Sequence, residues 1–148
     1  MKKEMNNKGF SLVELIIVVA IMAVLIGVLA PAYLQYVEKS KRTKDCQAVG
    51  SIMDACEIVA ADVAINWTEA LTVTVNSSGV QYTGPAETDV KTQMEAIVND
   101  AKITGAWTSI SFEASKGTNG IVTFGYSSGN MNLAEIAKIS PDLEARFN

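Results

Sequence analysis

Residues 6 to 31 read NNKGFSLVELIIVVAIMAVLIGVLAP, and this stretch decides how the chain is organised. Glu14 is the single charged residue between Phe10 and Val37. An uncharged apolar run of about 20 residues is already long enough to form a transmembrane helix. A lone carboxylate in hydrocarbon is costly unless it finds a partner, so the presence of Glu14 near the start of the run needs a physical reason.

Three interpretations of this stretch compete. Ala30-Pro31-Ala32 is similar to the A-x-A cleavage site of a secretory signal peptide, and cleavage there would release a soluble protein that begins at Tyr33. The second interpretation is a plain single-pass membrane anchor. The third depends on the seven residues from Lys8 to Glu14.

Those residues, Lys8-Gly9-Phe10-Ser11-Leu12-Val13-Glu14, closely resemble the signal of the type IV pilin superfamily. The resemblance covers the first third to two-fifths of the chain. It implies that a prepilin peptidase cuts after Gly9 and methylates the new amine of Phe10. Glu14 then stands where the family keeps a glutamate, and Pro31 stands where many members have a proline.

The resemblance gives Glu14 a partner. Cleavage creates a positive amine at Phe10, and the Glu14 carboxylate can neutralise that amine in its own chain or in a neighbouring subunit. Such a pair counts for more in a medium of low dielectric, although each ion still carries a desolvation cost. We therefore expect Glu14 and Phe10 to set the register of assembly, as one polar residue does in a coiled coil. The alternative is that Glu14 merely lies at headgroup level near the membrane edge.

The helix that follows is expected to bend at one place. Residues 15–30 are apolar on all sides, which suits lipid or a bundle of like helices. Pro31 lacks an N–H and clashes with the carbonyl of Gly27, so Gly27 and Pro31 predict a kink or local melting.

From Tyr33 to about Ile65 the pattern becomes amphipathic and predicts a stalk. Apolar residues recur at steps of three and four on one face: Val49, Ile52, Met53, Cys56, Val59, Ala60 and Val63. The charged residues are assigned to the remaining, solvated faces: Lys41, Lys44, Asp45, Asp54, Glu57 and Asp62. We expect the apolar stripe to pack on the C-terminal part of the chain.

Two further groups lie on the stalk. Cys46 and Cys56 are ten residues apart, about 15 Å along a helix, so no disulfide is predicted between them. Both are interpreted as small core residues, with an intersubunit bridge or a redox role as the alternative. The basic group is interpreted as a solvated face, or as a contact with lipid headgroups or with acidic residues of another subunit: Lys39, Lys41, Arg42 and Lys44.

The remainder predicts a small α+β head. Strands are predicted over 71–75, 80–83, 108–114 and 120–126, with helices over 88–102 and 133–139, the last ending near Pro141. Trp67 and Trp107 are expected in the core or at its edge. The fold class is α+β, a long N-terminal helix packed on a small antiparallel sheet, which is the pilin architecture. The predicted segments are a cleaved leader 1–9, an apolar helix 10–37, a stalk 38–66 and a head 67–148.

Composition excludes several functions. The chain has no histidine, which removes Ser-His-Asp and Cys-His catalytic sites and ordinary histidine metal sites. Asp142 and Glu144 could offer oxygen ligands to calcium, but their spacing is unconvincing, so no metal and no cofactor are predicted. The net charge of −4 argues against nucleic acid as the main ligand. No catalytic residues are predicted, and the chain is not expected to be an enzyme.

The resemblance implies a structural subunit of a type IV pilus. Its N-terminus would lie in the cytoplasm and its head outside while it spans the membrane, and it would then enter an extracellular helical homopolymer for adhesion or twitching motility. The implied partners are further copies, the prepilin peptidase, a membrane platform protein, an assembly ATPase, and membrane lipid before assembly. The alternatives are a pseudopilin of type II secretion or DNA uptake, and a secreted or membrane-anchored binding domain that does not polymerise.

Overall fold

The computed structural model describes residues 9–62, 67–84, 88–98, 100–104, 107–129 and 132–147. The leader residues 1–8 and the predicted end of the stalk at residues 63–66 lie outside this set. The chain divides into two compact units, Met1–Val37 and Glu38–Asn148. The division falls where the uncharged run ends and the first stalk charges begin.

The first unit holds the N-terminal part of one helix. Helix α1 spans Leu12–Ala61 and continues through Gly27 and Pro31 without ending. A change in its direction at Pro31 remains a prediction. Every side chain of residues 12–36 is exposed. Within the described residues, α1 is the one helix long and apolar enough to cross a membrane.

The second unit combines the rest of α1 with an antiparallel sheet. Its strands are β1 (Leu71–Asn76), β2 (Gly79–Thr83), β3 (Ser109–Lys116) and β4 (Val122–Gly129). They lie in the order β2-β1-β3-β4, and each neighbouring pair is antiparallel. The predicted α+β class, with a long helix and a small antiparallel sheet, is confirmed.

The tight turn between β1 and β2 follows from two residue types. The Asn76 side chain accepts hydrogen bonds from the N–H groups of Ser78 (2.8 Å) and Gly79 (3.1 Å). Gly79 has a φ of +140°, which a residue without Cβ adopts most easily. The hairpin that results pairs Val75 with Val80 and Val73 with Tyr82.

The predicted stalk stripe forms one side of the core. Its described members are all buried: Val49, Ile52, Met53, Cys56, Val59 and Ala60. They belong to one hydrophobic cluster with the inward side chains of β1 and β3: Leu71, Val73, Val75, Ile110, Phe112 and Ala114. Trp67 and Trp107 are buried in the same cluster, as expected. The head core is therefore completed by the stalk.

One helix boundary differs from the prediction, and the structure adds one short helix. Helix α2 spans Thr88–Ile97 and stops short of Lys102, because the following chain turns to bury Ile103, whose N–H donates to the Asn76 carbonyl. Helix α3 spans Leu133–Ile139, and a further short helix, α4 (Pro141–Glu144), follows it. Pro141 begins this helix because the first helical position needs no N–H.

The assignment of Asp45 to a solvated face is wrong. Its side chain is fully buried, and its Oδ1 accepts hydrogen bonds from the Thr104 N–H (2.5 Å) and the Thr104 hydroxyl (2.8 Å). Asp45 stands four residues before Val49, so helical spacing already placed it at the edge of the buried stripe. These bonds hold the 100–104 segment against the stalk.

Replacing Asp45 should therefore destabilise the second unit. We expect Asp45→Ala to lower the free energy of unfolding by about 1–3 kcal/mol, because a charged acceptor of two hydrogen bonds is lost. Asp45→Asn should lose less, since its amide oxygen still accepts. Urea denaturation of the full chain in detergent, followed by tryptophan fluorescence, measures both. The matched control is Glu113→Ala on β3, where the side chain is exposed. Equal losses for Asp45→Ala and Glu113→Ala would contradict this role of Asp45.

Candidate functional site

The start of α1 contains the first group of predicted site residues. Glu14 Oε2 accepts a hydrogen bond from the Ser11 N–H at 3.1 Å, and the Ser11 carbonyl accepts from Leu15 N–H at 3.2 Å. This is the carboxylate half of a capping box, which satisfies one N–H that the helix itself leaves unpaired. The negative charge also lies at the positive end of the helix dipole. Sequence reasoning missed this contact, although the Ser-x-x-Glu spacing indicates it.

The peptide bond between Gly9 and Phe10 lies in an open position. A Cβ added to Gly9 would meet no atom within 4 Å, and Phe10 is 88% exposed. Neither residue is part of a helix or strand. A processing enzyme can therefore reach this bond without unfolding the described part of the chain.

The apolar surface of the first unit is continuous around the helix. Its large side chains are 47–71% exposed from Leu15 onwards: Leu15, Ile16, Ile17, Val18, Val19, Ile21, Met22, Val24, Leu25, Ile26, Val28 and Leu29. A contiguous apolar surface of this extent marks contact with membrane or with protein. A helix that lacks a polar face fits either surrounding.

Arg42 differs from the three lysines with which it was grouped. Its guanidinium lies 2.6 Å from Glu38 Oε1 and 3.6 Å from Glu135 Oε1, and 5.7 Å from the centre of the Trp107 ring. The Trp107 N–H donates to Glu135 at 3.1 Å. Arg42 is therefore a contact between the stalk and α3 and does not belong to a solvated face.

A second arginine holds the C-terminal residues to the stalk. Arg146 lies 2.7 Å from Asp54 Oδ1 and 2.8 Å from Glu57 Oε1, and its guanidinium is 5.4 Å from the centre of the Phe124 ring. Partial burial by itself would lower the pKa of Arg146, but the hydrogen bonds and charges of Asp54 and Glu57 raise it above its ordinary value. Sequence reasoning missed this group.

The cysteines lie in the core as free thiols. Burial, with a smaller contribution from Asp45, raises the pKa of Cys46 to about 11. Burial raises the pKa of Cys56 to about 12. Both thiols are therefore protonated at neutral pH and are poor nucleophiles, which favours the core interpretation over a redox role.

No metal site is formed within the described ranges. There, no group of three or more histidine, cysteine, aspartate or glutamate side chains comes together in a way that could hold an ion. Asp142 and Glu144 both lie on the short helix α4.

Comparison with known proteins agrees with this geometry. Residues 5–30 match the family described as the prokaryotic N-terminal methylation motif. The chain is 31% identical over 100 residues to prepilin peptidase-dependent protein A of Clostridium perfringens (strain 13 / Type A), and the match covers 66% of this chain and 71% of that protein. The chain belongs to the type IV pilin-like superfamily. No solved structure matches it.

In this pilin-like chain, Arg146 should contribute measurably to stability. We expect Arg146→Met to lower the free energy of unfolding by about 1–2 kcal/mol, since two ion pairs and one cation–π contact are lost. The matched control is Lys91→Met, because the exposed pair of Lys91 with Glu95 is 3.9 Å long and should contribute little. Urea denaturation of the two variants in detergent measures the difference. A loss for Arg146→Met no larger than that for Lys91→Met would contradict the proposed contribution of Arg146.

Proposed function

We propose that this chain is a structural subunit of a type IV pilus, cut after Gly9 by a prepilin peptidase and polymerised through its N-terminal helix. The observation that carries the proposal is the open Gly9–Phe10 bond directly ahead of a helix that is apolar on all sides. Residues 1–9 are the leader, 10–37 the apolar helix, 38–66 the stalk and 67–148 the head. The role is structural, without catalytic residues or a cofactor.

Processing changes what surrounds Glu14. In the uncut chain its carboxylate accepts one neutral N–H, from Ser11. After cleavage Phe10 carries a charged amine one helical turn away, and methylation keeps that charge. A carboxylate already forms a charge-assisted hydrogen bond with a neutral N–H, and a charged amine adds Coulomb attraction to such a bond, which counts for more where the dielectric is low. Glu14 can then pair with the amine of its own chain or of a neighbouring subunit.

Polymerisation follows from the exposed apolar surface. Before assembly lipid surrounds it, with the N-terminus in the cytoplasm and the head outside. Successive copies would contact each other through different surfaces, and such an association yields a fibre when its rotation does not close into a ring. A platform protein and an assembly ATPase would extract each subunit from the membrane. The head would form the outer surface of the filament and mediate adhesion or motility.

The mature N-terminus is the first test. Intact mass and N-terminal sequencing of protein sheared from cells should give a chain that begins at Phe10 with one added methyl group. Gly9→Val should accumulate uncut precursor, because the peptidase pocket is expected to require glycine while the folded chain has room for a side chain there. Gly27→Ala also meets no atom within 4 Å and should be cut normally. A mature chain that begins at Tyr33 would exclude prepilin processing.

The charge of Glu14 is tested by a pair of variants. Glu14→Gln keeps an oxygen that can cap the Ser11 N–H but loses the charge, whereas Glu14→Ala loses both. If pairing with the Phe10 amine sets the register, both variants should be cut normally and should lower the amount of sheared filament at least about tenfold, which corresponds to about 1.4 kcal/mol. Normal assembly of the Glu14→Gln variant alone would show that Glu14 acts only as a helix cap.

A further inference from the structure

Three lysines point in different directions at the start of the second unit. Lys39, Lys41 and Lys44 are all exposed. At about 100° per residue, Lys41 and Lys44 lie about 200° and 140° around the helix axis from Lys39. They are spread over about 7.5 Å of the axis. These three residues, here named the lysine collar, therefore spread over about 200° of the helix circumference within about one and a half helical turns.

The other charges of this segment already have partners. Arg42 fills the remaining direction, about 300° from Lys39, and contacts Glu38 and Glu135. Asp45 is buried and accepts two hydrogen bonds from Thr104. Across the described residues, no carboxylate forms an ion pair with a collar lysine. The collar charges are therefore available to a partner outside the chain.

The collar begins two residues after the uncharged run ends at Val37. As a helix, residues 12–37 extend about 39 Å at 1.5 Å per residue. The hydrocarbon core of a bilayer is about 30 Å thick, and the whole bilayer with its headgroups about 40–45 Å. A run of this length ends among the headgroups, which is where the collar starts.

We propose that the lysine collar binds anionic phospholipid headgroups in the leaflet that faces away from the cytoplasm and anchors the subunit there before assembly. Each ammonium group is a compact positive charge, and clustered lysines beside a membrane span attract anionic lipid. The proposal rests on the membrane-inserted stage of the proposed function. Beyond that function, the proposal names the class of lipid that the subunit binds and the lysines that select this lipid.

The directions of the lysines favour lipid over a second copy of the chain. A contact between two protein surfaces buries one face of a helix, so some collar lysines would face away from it. Headgroups surround a membrane helix on every side that protein leaves open. Arg42 and α3 occupy one direction, and the collar occupies the others.

Energy transfer from tryptophan to labelled lipid tests the proposal. Trp107 is a suitable donor because its ring packs on Arg42, within the collar segment. The full-length precursor is inserted into phosphatidylcholine vesicles that contain a trace of phosphatidylglycerol or of phosphatidylcholine carrying the same fluorescent acceptor. We expect the local enrichment of phosphatidylglycerol to be at least about fivefold, the contribution of roughly one lysine at an anionic surface.

Three variants separate charge from other effects. The variant Lys39→Gln, Lys41→Gln, Lys44→Gln should lose the enrichment, while substitution of the same residues by arginine should keep it. Glutamine and arginine are both good helix formers, so α1 should remain intact. The matched control removes three lysines from the head, Lys91→Gln, Lys102→Gln and Lys116→Gln, and should keep the enrichment.

The outcomes distinguish this proposal from the proposed function. Flotation with vesicles measures insertion separately, and a precursor that floats with no vesicle would overturn both. Insertion without lipid preference, or a preference that survives in the glutamine variant, would overturn the collar alone. A glutamine variant that keeps the lipid preference but no longer enters filaments would also overturn the collar. That result would assign the three lysines to a contact with a second copy of the chain. Enrichment that depends on the collar, in a chain never cut after Gly9, would support the collar and exclude the pilin role.

Discussion

The apolar stripe of α1 between Cys46 and Ala60 shares one core with strands β1 and β3, and the second unit depends on that contact. A head of about 80 residues can build only a small core of its own. Val49, Ile52, Met53 and Cys56 are fully buried and supply the missing side of its core. A fully buried aliphatic side chain contributes about 1.5–3 kcal/mol, so the stripe fixes the head on the stalk.

The same helix passes between two kinds of surroundings. Up to Tyr36 its apolar side chains are exposed on every side, whereas from Asp45 onwards most of them form one buried stripe and Ile58 stays exposed. The charged residues between these parts divide by direction. Arg42 and Asp45 face the head and find partners in Glu135 and Thr104, because a charge next to a core is costly without one. Lys39, Lys41 and Lys44 face outwards and keep their charges exposed.

Local periodicity was enough to predict the α+β class, the stalk stripe and the strand pairs. Apolar residues recur every three or four positions on a helix face and every second position on a strand face, so their spacing can be read from the sequence. Contacts between residues that are distant in the sequence have no characteristic spacing. Asp45 and Thr104 are 59 positions apart, and Arg146 and Asp54 are 92 apart. The early end of α2 likewise depends on a hydrogen bond to Asn76 in another element. The capping contact of Glu14 is different, since it joins residues three positions apart and the Ser-x-x-Glu spacing indicates it.

The observed helix cap of Glu14 and its proposed pairing with the Phe10 amine are compatible, because they would belong to successive states of the chain. Before cleavage the carboxylate bonds to the Ser11 N–H, so it is not left without a partner at the start of an apolar helix. Cleavage after Gly9 would leave that N–H in place and add a charged amine beside it, and an ion is the stronger competitor for a carboxylate. On this proposal the leader does more than direct the chain to the membrane. While it is attached, Glu14 has a neutral local partner, and its removal creates the charge that makes pairing with a neighbouring subunit favourable.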